Sequence, residues 1–263
     1  MAISHIKIKN TSDINSGSNN GNLPKAAEAV EKMADVFATS CGKEHPDTLA
    51  CLNYAAYIYD DCGDYQKAKE LQEKAYELRS KTLGEGHPDT IISLNNLAMI
   101  YGDLGNYQKA KELQEKAYES ALKTFGEKHP NTIIFLNNLA YIYGNLDDYH
   151  KAKEAQEKAC ALMRKKLGEN HQYTLKLLDN LAFIYTHLGQ YKKAAKIQEK
   201  AYSLRCKTLG KEHPDTIMYL GDLSSTYFKL GRHRKIEKIQ AMITEMEKRL
   251  SAKKDTTQNS DRA

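Results

Sequence analysis

The sequence predicts an all-α array of five helical hairpins preceded by a single helix. Three observations predict it. The string His45-Pro46-Asp47-Thr48 returns as His87-Pro88-Asp89-Thr90, His129-Pro130-Asn131-Thr132, His171-Gln172-Tyr173-Thr174 and His213-Pro214-Asp215-Thr216, each step 42 residues long with no insertion or deletion. Within each copy, apolar residues recur twice at helical spacing, and a short turn separates the two runs. A fixed period of this size marks stacked supersecondary units, none of which can bury its apolar face alone.

The elements follow in order. Residues 1–22, rich in Asn, Ser, Gly and Thr, read as a disordered tail, and residues 252–263 read likewise. The repeat domain spans 23–251: a partial unit at 23–42, then full units at about 43–84, 85–126, 127–168, 169–210 and 211–251. Pro24 to Ser40 aligns with the second helix of a unit and is expected to cover the first full one. The first helix of a unit, helix A, is clearest in Asp89–Asp103, where Leu94, Leu97, Ala98 and Tyr101 share a face. Pro88 suits its start, and Asp89 or Thr90 is expected to accept from the free N–H groups there. Gly105-Asn106 makes the turn, and helix B runs from Tyr107 to about Lys123, burying Ala110, Leu113, Ala117, Tyr118 and Leu122 before Phe125-Gly126 ends it. Glu70–Lys74, Glu112–Lys116 and Glu154–Lys158 are expected as i,i+4 pairs, each contributing only about 0.2–0.5 kcal/mol.

Small residues set the packing distance. Ala56, Ala98, Ala140 and Ala182 repeat on helix A; Ala68, Ala110, Ala152 and Ala194, then Ala75, Ala117, Ala159 and Ala201, repeat on helix B. Alanine at a crossing lets helix axes approach toward the lower end of the roughly 8–10 Å range. Tyrosines Tyr59/101/143/185/227, Tyr65/107/149/191 and Tyr76/118/202 recur at fixed positions and read as core. The last unit departs: Ile236 and Ile243 replace helix-B alanines, as suits a capping repeat. Ile236, Ile239, Ile243, Met246 and Leu250 also follow a 3-4-3-4 spacing. A capping helix and a monomer are the expectation, and a dimer through this C-terminal helix is the alternative.

Composition narrows the function classes. Of 263 residues, 41% are hydrophobic and 28% charged, too apolar for a disordered chain. No stretch approaches the roughly 18 apolar residues of a membrane span, and residues 1–22 lack a signal-peptide core, so no membrane partner and a cytoplasmic location are expected. The sequence leaves export by a non-Sec route open. The five cysteines include no C-x-x-C pair, which argues against a disulfide framework or zinc knuckle. A net charge of +5 permits nucleic-acid binding without arguing for it.

The repeated histidine is the tempting catalytic candidate. A catalytic group is needed once, however, and this one occurs in five copies that would lie roughly 10 Å apart in a helical stack. That is too far to share a metal ion at about 2 Å. The histidines therefore read as helix-start residues. The chain has no glycine-rich phosphate loop, G-x-S-x-G or H-E-x-x-H. No catalytic residue, metal or cofactor is expected, and the protein is not read as an enzyme.

The pattern L-x-x-L-A-x-x-Y, then G-x-Y-x-x-A with a second Ala seven residues on, resembles tetratricopeptide repeats (TPR), whose usual period is 34. The run from Leu83-Gly84 to Tyr101, L-G-x-x-H-P-D-T-x-x-x-L-N-N-L-A-x-I-Y, resembles the kinesin-light-chain type of this repeat, and Phe125-Gly126 to Tyr143 nearly repeats it. The resemblance covers roughly 23–250. It implies a right-handed TPR superhelix, an α-solenoid, with helix A on the concave face and helix B on the convex one.

It also implies where a partner would lie. The groove positions are Asn53, Asn95, Asn137 and Asp179; Tyr54, Asn96, Asn138 and Asn180; and Tyr57, Met99, Tyr141 and Phe183, with Lys176 alone at another. By resemblance, Asn96, Asn138 and Asn180 match the family's asparagine that grips ligand backbone. Asparagine is a mediocre helix former, yet it recurs here in mid-helix. Its amide offers both donor and acceptor to an extended peptide. The competing reading is that these amides bond the next repeat. Helix A carries Asp47, Asp60, Asp61, Asp89, Asp103, Asp179, Asp215 and Asp222 against Lys176 and Lys229. An acidic groove argues against nucleic acid and for a neutral or basic peptide segment of a partner protein. The expected function is a non-catalytic protein–protein interaction scaffold or adaptor. The alternatives are a ligand- or peptide-sensing regulatory module acting through a partner and, remotely, a helical enzyme.

Overall fold

A computed structural model describes residues 22–260, apart from the side chains of residues 247 and 250–260. The tail expected at 1–22 lies outside the described residues except for Asn22. The described residues form helices only. The leading helix is α1 (Leu23–Ser40). The first helices of the five hairpins are α2 (Pro46–Asp61), α4 (Pro88–Asp103), α6 (Pro130–Asn145), α8 (Gln172–His187) and α10 (Pro214–Lys229). Their second helices are α3 (Tyr65–Leu83), α5 (Tyr107–Thr124), α7 (Tyr149–Leu167), α9 (Tyr191–Thr208) and α11 (His233–Ser260). The first helices are all 16 residues long, whereas α11 reaches 28. It therefore runs through most of the stretch read as a disordered C-terminal tail, where Ala252, Lys253 and Lys254 favour continuing the helix.

Helix starts differ from expectation in one respect. The cap is the histidine, not Asp89 or Thr90. Nδ1 of His45, His87, His129, His171 and His213 accepts from the backbone N–H two residues on, at 3.2–3.3 Å in every copy. A neutral imidazole supplies the acceptor that Ser or Asp usually provides. The threonine three residues after the histidine closes the preceding loop instead: Thr48 and Thr174 donate to the carbonyls of Gly42 and Gly168 at 2.9 and 2.7 Å. Second helices are capped by Asp64, Asn106 and Asp148. The turn before each cap needs a left-handed residue. Glycine fills it at Gly105 (φ 76°), but Asp147 occupies the equivalent place at φ 58°.

The chain divides into two compact units, one ending at Lys166 and one beginning at Leu167. In the first, α1 and α2 pack Ala27 and Ala34 against Leu49, Leu52, Ala55 and Tyr59. Further along, Met99, Ala110 and Ile142 form a second buried cluster. In the second unit, Leu220, Leu223 and Tyr227 of α10 bury Ile239 of α11, with Ile236 and Ile243 partly buried beside them. Ile236, Ile239 and Ile243 of the 3-4-3-4 series thus face their own unit's core, whereas the side chain of Leu250 lies outside those described. All alanines of the three repeated positions are 0–2% exposed. Leu113 and Leu122 are only half-buried, and Ala121 is fully buried on the same helix.

Polar tethers repeat at fixed offsets. Tyr59, Tyr101 and Tyr143 donate to Glu31, Glu73 and Glu115 on the preceding second helix, at 3.0, 2.6 and 2.8 Å. Tyr227 does the same to Glu199 in the second unit. Lys116 and Lys158 reach Glu85 and Glu127, both at 2.8 Å, rather than the i−4 glutamates expected. Hairpin closure brings the loop glutamate over mid-helix, and Glu112 pairs with Lys109 instead.

Candidate functional site

The asparagines come together as a buried amide network. In the first unit Asn53 is 8% exposed, Asn96 6%, and Asn95, Asn137 and Asn138 are fully buried. Asn138 Nδ2 donates to Asn95 Oδ1 at 3.0 Å, and Asn96 Nδ2 to Asn53 Oδ1 at 3.4 Å, so each bond joins neighbouring first helices. Asn95 and Asn137 in turn donate to Asn96 and Asn138. A row of glutamines that the sequence reading missed completes the network. Gln72, Gln114 and Gln156 donate to Asn53, Asn95 and Asn137 at 3.1, 3.0 and 3.0 Å. Gln72 and Gln114 also donate to the backbone carbonyls of Ser93 and Phe135 in the next first helix. The signal was present in the sequence, since Gln72, Gln114, Gln156 and Gln198 occupy one position of helix B. Asn180, in the second unit, is also buried.

The second unit replaces this network with charge. Asp179 stands where the first unit has Asn53, Asn95 and Asn137. It pairs with Arg205, whose guanidinium lies 4.2 Å from the centre of the Tyr219 ring. Burial pushes the Asp179 carboxyl up to about 6, against the opposing pull of Arg205. Burial likewise raises Asp222, again opposed by Arg205. In the first unit the equivalent arginine, Arg79, donates to Ser93 Oγ, and burial lowers its pKa.

The aromatic row is split. Tyr57 and Phe183 are each 39% exposed, Tyr141 is half-buried and Met99 fully buried. The Phe183 ring sits 4.2 Å from that of His187, and Lys176 is half-buried on the same helix. Burial, aided by Tyr107 and Asp103, raises the Tyr141 hydroxyl. At the first hairpin the asparagine column gives way to Tyr54, 46% exposed. Its ring lies parallel to that of Tyr57 within 6°, with centroids 6.4 Å apart. Among the described residues, no three His, Cys, Asp or Glu side chains gather as a metal site requires, and no helix is long and apolar enough to cross a membrane.

Repeated helix pairs with this packing define a tetratricopeptide-repeat protein. The family profile matches residues 18–81, 52–123, 93–165, 132–207 and 173–246, and the chain belongs to that family. Its repeats resemble those of kinesin light chain. The crystal structure of nearly identical TPR-like repeats of a kinesin light chain from Podosopora anserina shares 28% identity over 79% of this chain and 98% of that one, with a TM-score of 0.71. BtubC (BKLC) from P. vanneervenii superposes with a TM-score of 0.71 at 20% identity, over 90% of this chain and 93% of that one. The apo form of RapI follows with a TM-score of 0.63 at 15% identity, over 88% and 93%. The search of curated proteins returned no match.

Proposed function

We propose that the chain is a non-catalytic scaffold or adaptor that binds an extended segment of a partner protein along the concave face of its first helices. The family supports an interaction role in general. The observation that carries the finer reading is the division of labour among first-helix positions. The amides of Asn53, Asn95, Asn96, Asn137 and Asn138 are bonded to neighbouring repeats and fix the spacing of the platform. The rings of Tyr57, Tyr141 and Phe183, with Lys176, are the most solvent-exposed members of the predicted set, and they make the contacts. Asn96 and Asn180 contribute at most an edge to the ligand, being 6% and 4% exposed. Of the first-helix aspartates, Asp60 is buried and Asp179 is paired with Arg205. Asp47, Asp61, Asp89, Asp103, Asp215 and Asp222 remain at least partly exposed. They favour a neutral or basic segment over an acidic one. Five free cysteines suit work in a reducing cytoplasm.

The test is a quantitative pull-down comparing the wild type with a Tyr57→Ala/Tyr141→Ala/Phe183→Ala variant, both first matched by circular dichroism. Loss of a defined set of partners from the variant supports the reading. Identical partner sets would move the interaction off this face.

A further inference from the structure

The first hairpin differs from the next two in what its first helix offers to solvent. At the position of Tyr54, α4 and α6 carry the buried Asn96 and Asn138, 6% and 0% exposed, and at the position of Tyr57 α4 carries the fully buried Met99 and α6 the half-buried Tyr141. On α2 both positions are open. Asp47, Ala50, Tyr54, Tyr57 and Asp61 follow one another at three- and four-residue spacing, and all five are exposed. Two aromatic rings therefore stand side by side on one helix face with their planes parallel.

We propose that Tyr54 and Tyr57 form a clamp for an arginine side chain of the partner segment. The inference rests on the peptide-binding reading above and names the chemistry recognised at one end of it. Parallel planes suit a planar guanidinium, which stacks on aromatic faces where an ammonium cannot. A cation is attracted to a ring within about 6 Å of its centroid. With the two centroids 6.4 Å apart, one guanidinium over the pair lies within that reach of both. Asp61 is exposed one turn beyond Tyr57 and supplies a carboxylate for bidentate pairing. Asp47 lies two turns before Tyr54 on the same stripe, with its carboxylate 3.6 Å from His45 Nδ1, and adds to the negative field of the face. Tyrosine at 54, where the next three repeats carry asparagine, is what creates the pair.

The test uses the full chain and a fluorescein-labelled peptide of three Gly-Ser-Arg units, read by anisotropy. Matched peptides carry citrulline or lysine in place of arginine. The arginine peptide is expected to bind at least about fivefold more tightly than the citrulline peptide, with lysine between. Tyr54→Ala/Tyr57→Ala should abolish that preference and Tyr54→Phe/Tyr57→Phe should keep it, since the rings and not the hydroxyls do the work. Asp61→Asn should reduce it. Equal binding of arginine and citrulline peptides overturns the clamp, as does an arginine preference that survives the double alanine variant with its helical content unchanged. Tyr141→Ala/Phe183→Ala separates the two readings. An arginine preference that needs Tyr54 and Tyr57 but ignores Tyr141 and Phe183 leaves the clamp and removes the longer contact face. Binding that needs Tyr141 and Phe183 but ignores Tyr54 and Tyr57 does the reverse.

Discussion

Asn95 is the node on which the stacking of the first unit turns, and replacing it with alanine isolates that role. Its Oδ1 accepts from Gln114 at 3.0 Å and Asn138 at 3.0 Å, and its Nδ2 donates to Asn96 Oδ1 at 3.1 Å. Asn95→Ala removes three hydrogen bonds in a site with no solvent exposure. At a net contribution near 1 kcal/mol each, about 3 kcal/mol is lost. Gln114 retains the Phe135 carbonyl as a partner, which keeps the cost from rising further. The assay is urea unfolding followed at 222 nm. With a slope of about 3 kcal/mol/M, the midpoint should fall by roughly 1 M. Gln114→Ala alone should cost less, and the double variant should cost less than the sum, because the two side chains share a bond. A midpoint within about 0.2 M of the wild type, or strict additivity of the pair, would show that the amides do not hold adjacent repeats. Asn96→Ala with Asn138→Ala should also lower the melting temperature, since both side chains bond the neighbouring first helix.

Further predictions concern single sites. Because the folded pKa of Asp179 is raised to about 6, above the ordinary unfolded value near 3.9, the folded state holds the extra proton between those limits. Stability of the second unit should therefore fall as pH rises from about 4 to 6, and Asp179→Asn should flatten that slope in thermal melts. Arg205→Ala should cost about 3–5 kcal/mol by stranding the Asp179 charge, which calorimetry would register as a drop in melting temperature. His129, depressed by burial and by Lys166, should titrate below the ordinary histidine value in proton NMR; its cap is then secure above about pH 6.5 and is lost as pH falls through the folded pKa. A titration at or above the ordinary value would contradict its packing against Phe125, 4.8 Å away between ring centres. Ala110→Leu, at a fully buried crossing beside Gly102, should overpack the hairpin and lower denaturant stability by about 1–3 kcal/mol.

The helices could be read from the sequence because both of their signals are local and recur. Proline before helix A, glycine at the turns and alanine at the crossings each say the same thing in four of the five units. What the sequence hid was the destination of polar groups. His87 stands before a proline and an aspartate, and the aspartate is the commoner cap; only the backbone geometry shows Nδ1 accepting the Asp89 N–H. The column of asparagines announced a special role, and two roles were compatible with it. The glutamine row at 72, 114 and 156 would have pointed toward the buried network, because a polar residue fixed on the inner side of helix B needs a partner there. The paired exposed rings at 54 and 57 follow from a departure of the first repeat from its own pattern, visible in sequence as a lone Tyr and interpretable only with its exposure in hand.

The fixed offsets of the tethers reach beyond this one chain. Tyr101 finds its glutamate 28 residues back, as do Tyr59 and Tyr143, and Lys116 and Lys158 find theirs 31 back. The junctions of the first unit are therefore written in the same grammar. Cutting the gene within one copy and rejoining it at the matching phase of another would lengthen or shorten the array by 42 residues and regenerate a junction whose partners already fit. Unequal recombination, ordinarily ruinous to a folded domain, would for these repeats change the length of the array while keeping the partners of each tether in phase.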